Sequence, residues 1–178
     1  MEEPLTRYWL IKSEAEKYAW SDLLRDGETV WDGVRNHRAA NNMRMMQPGE
    51  RAFFYHSVSG KEIIGIAEVG QTGLLDPTDA DGKWPTVTFR PVAALARAVT
   101  LAEIKAEPAL VSVELIRLSR LSVAEILPAE WERIVAMGGG GFLSGDARSP
   151  LDDVLLAAAG VETPHVVFLP TAMGDSAT

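Results

Sequence analysis

The sequence of 178 residues contains no cysteine. This absence excludes disulfide bonds, zinc sites built from thiolates and a cysteine nucleophile, and it is compatible with a reducing compartment. Histidine is scarce as well, and the spacing of His37, His56 and His165 is not that of a metal-ligand set. We therefore expect no bound metal and no cofactor.

Long apolar runs are also missing. No apolar stretch approaches the ~20 residues that a membrane-spanning helix needs, and the first residues are acidic where a signal peptide would be basic. We therefore expect a cytoplasmic protein without a membrane partner. Apolar residues make up 47% of the chain, which is enough for a hydrophobic core, and the length suits one domain with an appendage.

Positive charge is in short supply, because 17 Lys and Arg residues face 25 Asp and Glu residues and the net charge is −8. This is the wrong sign for a protein that coats nucleic acid electrostatically. The cations are concentrated, however: five basic residues face three acidic ones between residues 31 and 62, whereas one arginine faces five acidic residues over 138–178. This distribution predicts a few phosphate contacts and not a long footprint on a duplex.

The order of short apolar patterns predicts a mixed α/β (α+β) or small-barrel fold. Strands are expected over 6–12, 51–56, 62–69 and 86–92, with one or two more over 112–126. Helices are expected over 21–25, 36–46 and 128–137, and a capping box of Thr100 and Glu103 predicts another that closes before Pro108. Regular alternation of strands and helices is missing, which argues against a Rossmann sheet.

The segment Trp31–His37 holds the residue types that bind a planar polar ring. Trp31 offers a face for stacking, which is worth ~1–3 kcal/mol per base, although a tryptophan is also a common core residue. Gly33 lies in a turn signal, and Val34 follows it. Asn36 can meet the edge of a base with its amide, or it can cap the helix that begins there.

Polar residues at the ends of two predicted strands are candidates for the rim of the same pocket. Lys12 and Ser13 end the first strand, and His56 and Ser57 end a later one. Each has a structural alternative: Ser13 as a turn hydroxyl, and His56 as a hydrogen-bonded core residue.

Arginines near these motifs are candidate phosphate ligands. Arg35 can hold a phosphate through two parallel hydrogen bonds, or it can pair with Asp32. Arg38 either binds phosphate or belongs to a solvated helix face. Arg117 and Arg120 fall in a predicted strand, where they line a cleft or lie on an exposed edge.

The motifs Tyr8–Glu14, Trp31–His37 and Phe53–Ser57, in this order and at this spacing, resemble an EVE domain, the PUA-like module of the thymocyte nuclear protein family. The resemblance covers roughly residues 6–137 and continues through four further motifs: 65–69, 76–78, 101–105 and 121–123. It implies a PUA-like small mixed β-barrel with short peripheral helices, which binds a modified nucleobase in DNA or RNA. Two departures from the family pattern stand out. Ala15 stands where the family has proline, which loosens that turn without removing a contacting group. His37-Arg38 stand where the family often has an aromatic residue, and this departure bears on the choice of ligand.

The resemblance divides the chain into an EVE domain over 1–137 and a C-terminal part over 138–178. Four glycines at 138–141 predict a hinge. The remainder holds one plausible helix, from Ser149 to Gly160, and is expected to be disordered or loosely docked.

The functional prediction is a non-catalytic, monomeric reader that binds a modified base, flipped or single-stranded, as part of DNA or RNA. Motifs for a serine hydrolase or a P-loop are missing from the sequence. The expected base site comprises Trp31, Lys12, Ser13, Gly33, Val34, Asn36, His56 and Ser57, and the expected phosphate ligands are Arg35, Arg38 and Arg117. The alternatives are a binder of a free nucleotide, a nucleic-acid-processing enzyme and an adaptor that acts through its tail. Arginines along a groove leading away from the pocket would favour nucleic acid over a free nucleotide.

Overall fold

The structure is a computed structural model that describes residues 7–139. The predicted hinge beyond Gly139, the tail and its predicted helix from Ser149 to Gly160 lie outside the described residues.

Eight strands form within the described part of the chain. They are β1 (Tyr8–Glu14), β2 (Thr29–Val30), β3 (Arg51–Ser57), β4 (Glu62–Val69), β5 (Leu74–Leu75), β6 (Pro85–Thr86), β7 (Thr88–Thr100) and β8 (Val123–Ile126). Six of them make one curled sheet in the order β2-β7-β4-β3-β1-β8, and β5 pairs with β6 in a separate ribbon. This half-barrel with short helices around it confirms the predicted mixed fold.

Strand β1 lies between β3, with which it runs parallel, and β8, with which it runs antiparallel. The parallel register pairs Ser13 with His56 and Glu14 with Ser57, so both strands end at the same edge of the sheet. The core behind them is aromatic: Trp131 stacks between Tyr8 and Phe53, with ring centroids 4.4 and 4.0 Å apart.

Five α-helices and one 3-10 helix surround the sheet. They are α1 (Trp20–Asp26), α2 (His37–Met45), α3 (Leu101–Ala106), the 3-10 helix Pro108–Leu110, α4 (Glu114–Arg117) and α5 (Pro128–Met137). The predicted capping box of α3 is present, because the Thr100 hydroxyl accepts from the Glu103 amide and the Glu103 carboxylate accepts from the Thr100 amide. None of the described helices is long and apolar enough to cross a membrane.

Two predictions of local structure were wrong. Helix α1 begins after Ala19 and not at Ser21, because the Asp22 carboxylate accepts from the Ala19 amide at 2.8 Å. Residues 112–126 hold one strand, β8, but Arg117 and Arg120 lie outside it, because α4 and a turn occupy the part of that range before β8. The N-cap Val113 and the helical Leu115 are both buried and alternate as they would in a strand, and a four-residue helix is too short to show a helical period.

Candidate functional site

A cavity of about 650 Å³ opens where β1 and β3 end. We call it the main cavity; its lining residues are 12–14, 17–18, 29–35, 57, 119–120 and 122. Four separate parts of the chain therefore form its walls: the ends of two parallel strands, the loop after β2, and the turn before β8.

Trp31 forms part of the wall of the main cavity and belongs mostly to the core. Its ring meets Phe54 and Phe89 edge to face, at centroid distances of 5.8 and 5.5 Å, and only 8% of the residue is exposed. Its amide donates to the carbonyl of Val87 at 2.8 Å, and its carbonyl accepts from the Thr86 hydroxyl at 2.8 Å. Trp31 is thus rigidly held, and an incoming ring can contact only the small exposed part of the indole.

Asp76 holds the loop after Trp31 in place. Its side chain is fully buried and accepts hydrogen bonds from the Gly33 amide at 2.8 Å and from Arg35 at 2.6 Å, while Thr78 donates to its other oxygen. Burial alone would raise the pKa of Asp76, but these hydrogen bonds lower it to about 2. Gly33 has a φ of +74°, a conformation that glycine adopts without strain.

Arg35 lines the main cavity, and its carboxylate partner is Asp76 and not Asp32. The guanidinium also donates to the Thr78 hydroxyl at 2.8 Å and lies over the ring of Trp84 at 5.8 Å. Asp76 and Thr78 therefore hold the guanidinium of Arg35 in place, while the side chain remains 40% exposed to solvent.

Lys12 brings a half-buried ammonium to the main cavity. Its Nζ donates to the carbonyl of Ser119 at 2.9 Å, and burial lowers the pKa of the side chain. An ammonium has three donors, so two remain for a ligand. The neighbouring Ser13 hydroxyl donates to the carbonyl of Tyr18 at 2.7 Å, which leaves its oxygen as an acceptor.

The charges around the main cavity divide into paired and unpaired groups. Lys17 pairs with Glu14, and Arg35 pairs with Asp76. Within residues 7–139, Lys12 and Arg120 have no carboxylate within 4.0 Å. These two cations are therefore the ones available to an anionic ligand.

A second concavity of about 320 Å³ adjoins the main cavity. We call it the adjoining groove; it is lined by Asn36, Arg38, Arg117, Leu118, Ser119, Arg120 and Leu121. Ser119 and Arg120 line both spaces, so the turn between α4 and β8 forms a ridge that the two share. The groove thus adjoins the cavity and is lined by three arginines.

Asn36 lines the adjoining groove and caps α2. Its Oδ1 accepts from the amides of Arg38 and Ala39 at 2.9 and 3.1 Å, as the capping alternative predicted. Because only an oxygen can accept these bonds, the amide nitrogen is the atom left over. Arg38 pairs with Glu114, and Arg117 has no ionic partner within residues 7–139.

His56 does not line the main cavity, although its neighbour Ser57 does. Its ring is buried against Phe54, at 5.7 Å between centroids, and its Nε2 accepts from the backbone amide of Trp20 at 3.1 Å. Successive side chains of a strand point to opposite faces, so His56 and Ser57 diverge. His56 supports the first turn of α1, which matches the structural alternative named for it.

The remaining predicted residues Gly33, Val34 and Ser57 line the main cavity. Tyr18, Ser119 and Ser122 also line it and were not predicted, whereas Arg120 was named only as a residue that lines a cleft or lies on an exposed edge. The only local signal was Arg120, a cation in an otherwise apolar stretch. Over residues 7–139, no group of three or more His, Asp and Glu side chains could hold a metal ion.

Comparison with known proteins shows what the chain is similar to. The family model of the EVE domain matches residues 7–137 of this chain. Human thymocyte nuclear protein 1 is 34% identical in a match that covers 57% of this chain and 56% of that protein. The chain therefore spans little more than half the length of that relative.

Solved structures share the fold. The NMR structure of Rpa0253 from Rhodopseudomonas palustris has a TM-score of 0.74 and 42% identity, covering 80% of this chain and 99% of its own. The crystal structure of the human THYN1 protein in complex with 5-methylcytosine containing DNA has a TM-score of 0.68 and 29% identity, covering 75% of this chain and 98% of its own.

Proposed function

The chain belongs to the EVE domain family, and on that premise we propose that it is a non-catalytic reader of a modified nucleobase in DNA or RNA. The base enters the main cavity flipped or single-stranded, and the adjoining groove holds the neighbouring part of the strand. We propose that the chain acts as a monomer.

The size and lining of the main cavity support a base as its occupant. Binding sites for small molecules typically measure roughly 300–1,000 Å³ and combine apolar walls with a few polar groups. Here Trp31 and Val34 are the apolar wall, and Lys12, Ser13 and Ser57 offer donors and acceptors for a base edge. A methyl group on the base would add apolar contact of ~1–3 kcal/mol. The human relative in complex with 5-methylcytosine containing DNA supports this occupant.

The observation that carries the proposal is the adjoining groove with Arg38, Arg117 and Arg120. A free nucleotide needs one anion site, whereas a strand needs cations along a path that leaves the pocket. The groove shares Arg120 with the main cavity and extends to Arg117, so it provides such a path. This favours nucleic acid over a free nucleotide despite the acidic sequence pI of about 4.9.

The limited exposure of Trp31 favours a strand that is already open. A fully stacked base gains ~1–3 kcal/mol, and flipping a base out of a duplex costs a few kcal/mol. With 8% of Trp31 exposed, stacking offsets only part of that cost. We therefore expect single-stranded or mismatched substrates to bind more tightly than a perfect duplex.

The test is fluorescence anisotropy with short labelled oligonucleotides of DNA and RNA, with and without methylated cytosine or adenine. Modification-selective binding that is weakened by Arg120→Gln supports the proposal. Arg7→Gln is the matched control. Arg7 is exposed and lies next to the start of β1, whereas the cavity lies at the end of that strand. Trp31→Phe is preferred to alanine, since truncating a buried tryptophan would cost ~3–5 kcal/mol of stability.

Two results would contradict the proposal. Equal affinity for modified and unmodified oligonucleotides would overturn modified-base reading. Tight binding of free nucleotides together with no gain from a longer strand would establish the free-nucleotide alternative.

A further inference from the structure

We propose that the adjoining groove is a second base subsite, which takes the nucleotide next to the modified one and prefers guanine. This inference rests on the proposed function, because it assigns the groove to the same strand whose modified base enters the main cavity.

The shape of the groove fits a base better than a phosphate alone. Its lining includes two leucines, of which Leu118 is half-buried and Leu121 is 5% exposed. An apolar surface offers a phosphate no hydrogen bond and no charge. The face of a base that covers such a surface removes it from water, which stabilises the complex. Its volume of about 320 Å³ also lies within the ordinary range of ligand sites.

The amide of Asn36 faces the groove as a donor only. Its oxygen is consumed by the first two amides of α2, at 2.9 and 3.1 Å. Its nitrogen makes no hydrogen bond within residues 7–139, so two N–H groups remain. A base edge that meets Asn36 must therefore supply acceptors.

The other polar groups of the groove point to the same preference. Arg38, Arg117 and Arg120 are donors without any acceptor capacity. The nearby acceptors are occupied: the Glu114 carboxylate binds Arg38 and the Glu125 amide, and the carbonyl of Ser119 accepts from Lys12. Among the lining side chains, the Ser119 hydroxyl is the one group left that can accept, so free donors outnumber free acceptors in the subsite.

Among the bases, guanine matches a donor-rich site best. Its major-groove edge presents two acceptors, O6 and N7, whereas adenine and cytosine each present an amino group there, and thymine presents one oxygen beside a methyl group. The expected order of preference is guanine, then thymine or uracil, then adenine and cytosine.

The shared ridge sets the position of the linking phosphate. Because Ser119 and Arg120 line both spaces, two adjacent nucleosides on either side of the ridge would place their bridging phosphate beside Arg120. Arg120 has no carboxylate partner within residues 7–139, so it is available for that phosphate.

The experiment is isothermal titration calorimetry with 5-methyldeoxycytidine monophosphate and with dinucleotides that join it to each of the four bases, on its 5′ or its 3′ side. On one of the two sides, the guanine dinucleotide should bind about tenfold more tightly than the adenine dinucleotide, since a bidentate contact discriminates by ~1–3 kcal/mol. Every dinucleotide on that side should bind more tightly than the mononucleotide.

Asn36→Asp is the decisive variant, because a carboxylate caps α2 as well as an amide does but replaces the two donors by an acceptor. The ratio of guanine to cytosine affinity should fall, since a carboxylate accepts from the cytosine amino group. Arg117→Gln should weaken the dinucleotides and leave the mononucleotide unchanged, and Arg7→Gln should change neither.

The outcomes separate this inference from the proposed function. One outcome is that the mononucleotide binds and the dinucleotides bind no more tightly, or bind more tightly by the same factor for all four bases. That outcome would overturn the second subsite and leave the assignment of the main cavity unchanged. If no oligonucleotide binds with any preference for the modified base, the proposed function itself fails.

Discussion

The buried carboxylate of Asp76 accepts a hydrogen bond of 2.8 Å from the backbone amide of Gly33, across 43 residues of sequence. The same oxygen accepts from Arg35 at 2.6 Å. One side chain thus joins the loop that follows Trp31 to the segment before β6. This contact fixes the wall of the main cavity from the side that faces away from the ligand.

Replacing Asp76 by Asn should destabilise the protein by about 2 kcal/mol at pH 7. A carboxyl group whose pKa falls from 3.8 to about 2 on folding contributes free energy of that order. The amide is nearly isosteric, so the loss reports charge and hydrogen bonding more than packing. Urea unfolding of the two proteins at pH 7 measures the difference.

The difference in unfolding free energy between wild type and Asp76→Asn should depend on pH. Because the pKa of Asp76 is lower in the folded protein, its stabilisation is fully present above about pH 4 and is lost as pH falls through 2. The difference between wild type and Asp76→Asn should therefore shrink over that range. Hydrogen bonds from Thr100 and Arg97 also hold the pKa of Glu103 at about 2, but this effect is common to both proteins and cancels. A difference that stays constant down to pH 2 would contradict this account.

Substitution of Gly33 should affect stability and ligand binding together. An alanine at φ +74° costs ~1–2 kcal/mol, although its Cβ would meet nothing within 4 Å. If the backbone relaxed this strain, the amide of residue 33 would move away from the Asp76 carboxylate that accepts its hydrogen bond. Gly73→Ala is the matched control, because Gly73 has a φ of +71°, equally open surroundings and no place in the cavity lining.

Thermal unfolding and oligonucleotide titration of both glycine variants test this prediction. Both should lose similar stability, and only Gly33→Ala should lose affinity. Equal affinity losses in the two variants would mean that the strain acts through the whole fold and not through the loop.

His56→Ala should destabilise the protein by at least ~1–3 kcal/mol, because it leaves the Trp20 amide buried without its acceptor and removes packing against Phe54. The control is His37→Ala, since His37 is exposed and its ring lies near that of the partly buried Trp84. Its effect should stay within ~0.5 kcal/mol. Chemical denaturation of both variants measures the contrast, and an equal loss would refute the structural role of His56.

Arg120→Gln should reduce the salt dependence of nucleic-acid binding. Each cation that neutralises a phosphate on a single strand adds about 0.7 to the slope of log affinity against log salt concentration. The slope should therefore fall by about that amount in Arg120→Gln and stay unchanged in Arg7→Gln. Anisotropy titrations over a range of salt concentrations give the slopes. If Arg120→Gln lowered the affinity equally at every salt concentration, so that the slope stayed the same, Arg120 would not be a phosphate contact.

Features that depend on neighbouring residues were the ones predictable from sequence. The capping box of Thr100 and Glu103, the cap at Asn36 and the strands β3 and β4 all follow from local patterns, and the structure has them. The EVE resemblance supplied the curled mixed sheet, which propensity alone would not select.

Features that depend on distant residues were not predictable in the same way. The partner of Arg35 was expected nearby at Asp32, whereas the buried carboxylate lies 41 residues away at Asp76. The turn with Ser119 and Arg120 was read as part of a strand. Its place at the cavity depends on Lys12, whose ammonium meets the carbonyl of Ser119 across 107 residues.

That last contact also bears on how the protein is made. The cavity wall at Lys12 leaves the ribosome 107 residues before the wall at Ser119, and at ~5–20 residues per second the delay is roughly 5–20 s. During that interval β1 can pair with β3, but its other edge lacks β8 and exposes unsatisfied backbone groups. The main cavity is therefore among the last features that the growing chain completes, and until then the unpaired edge of β1 can associate with other nascent chains.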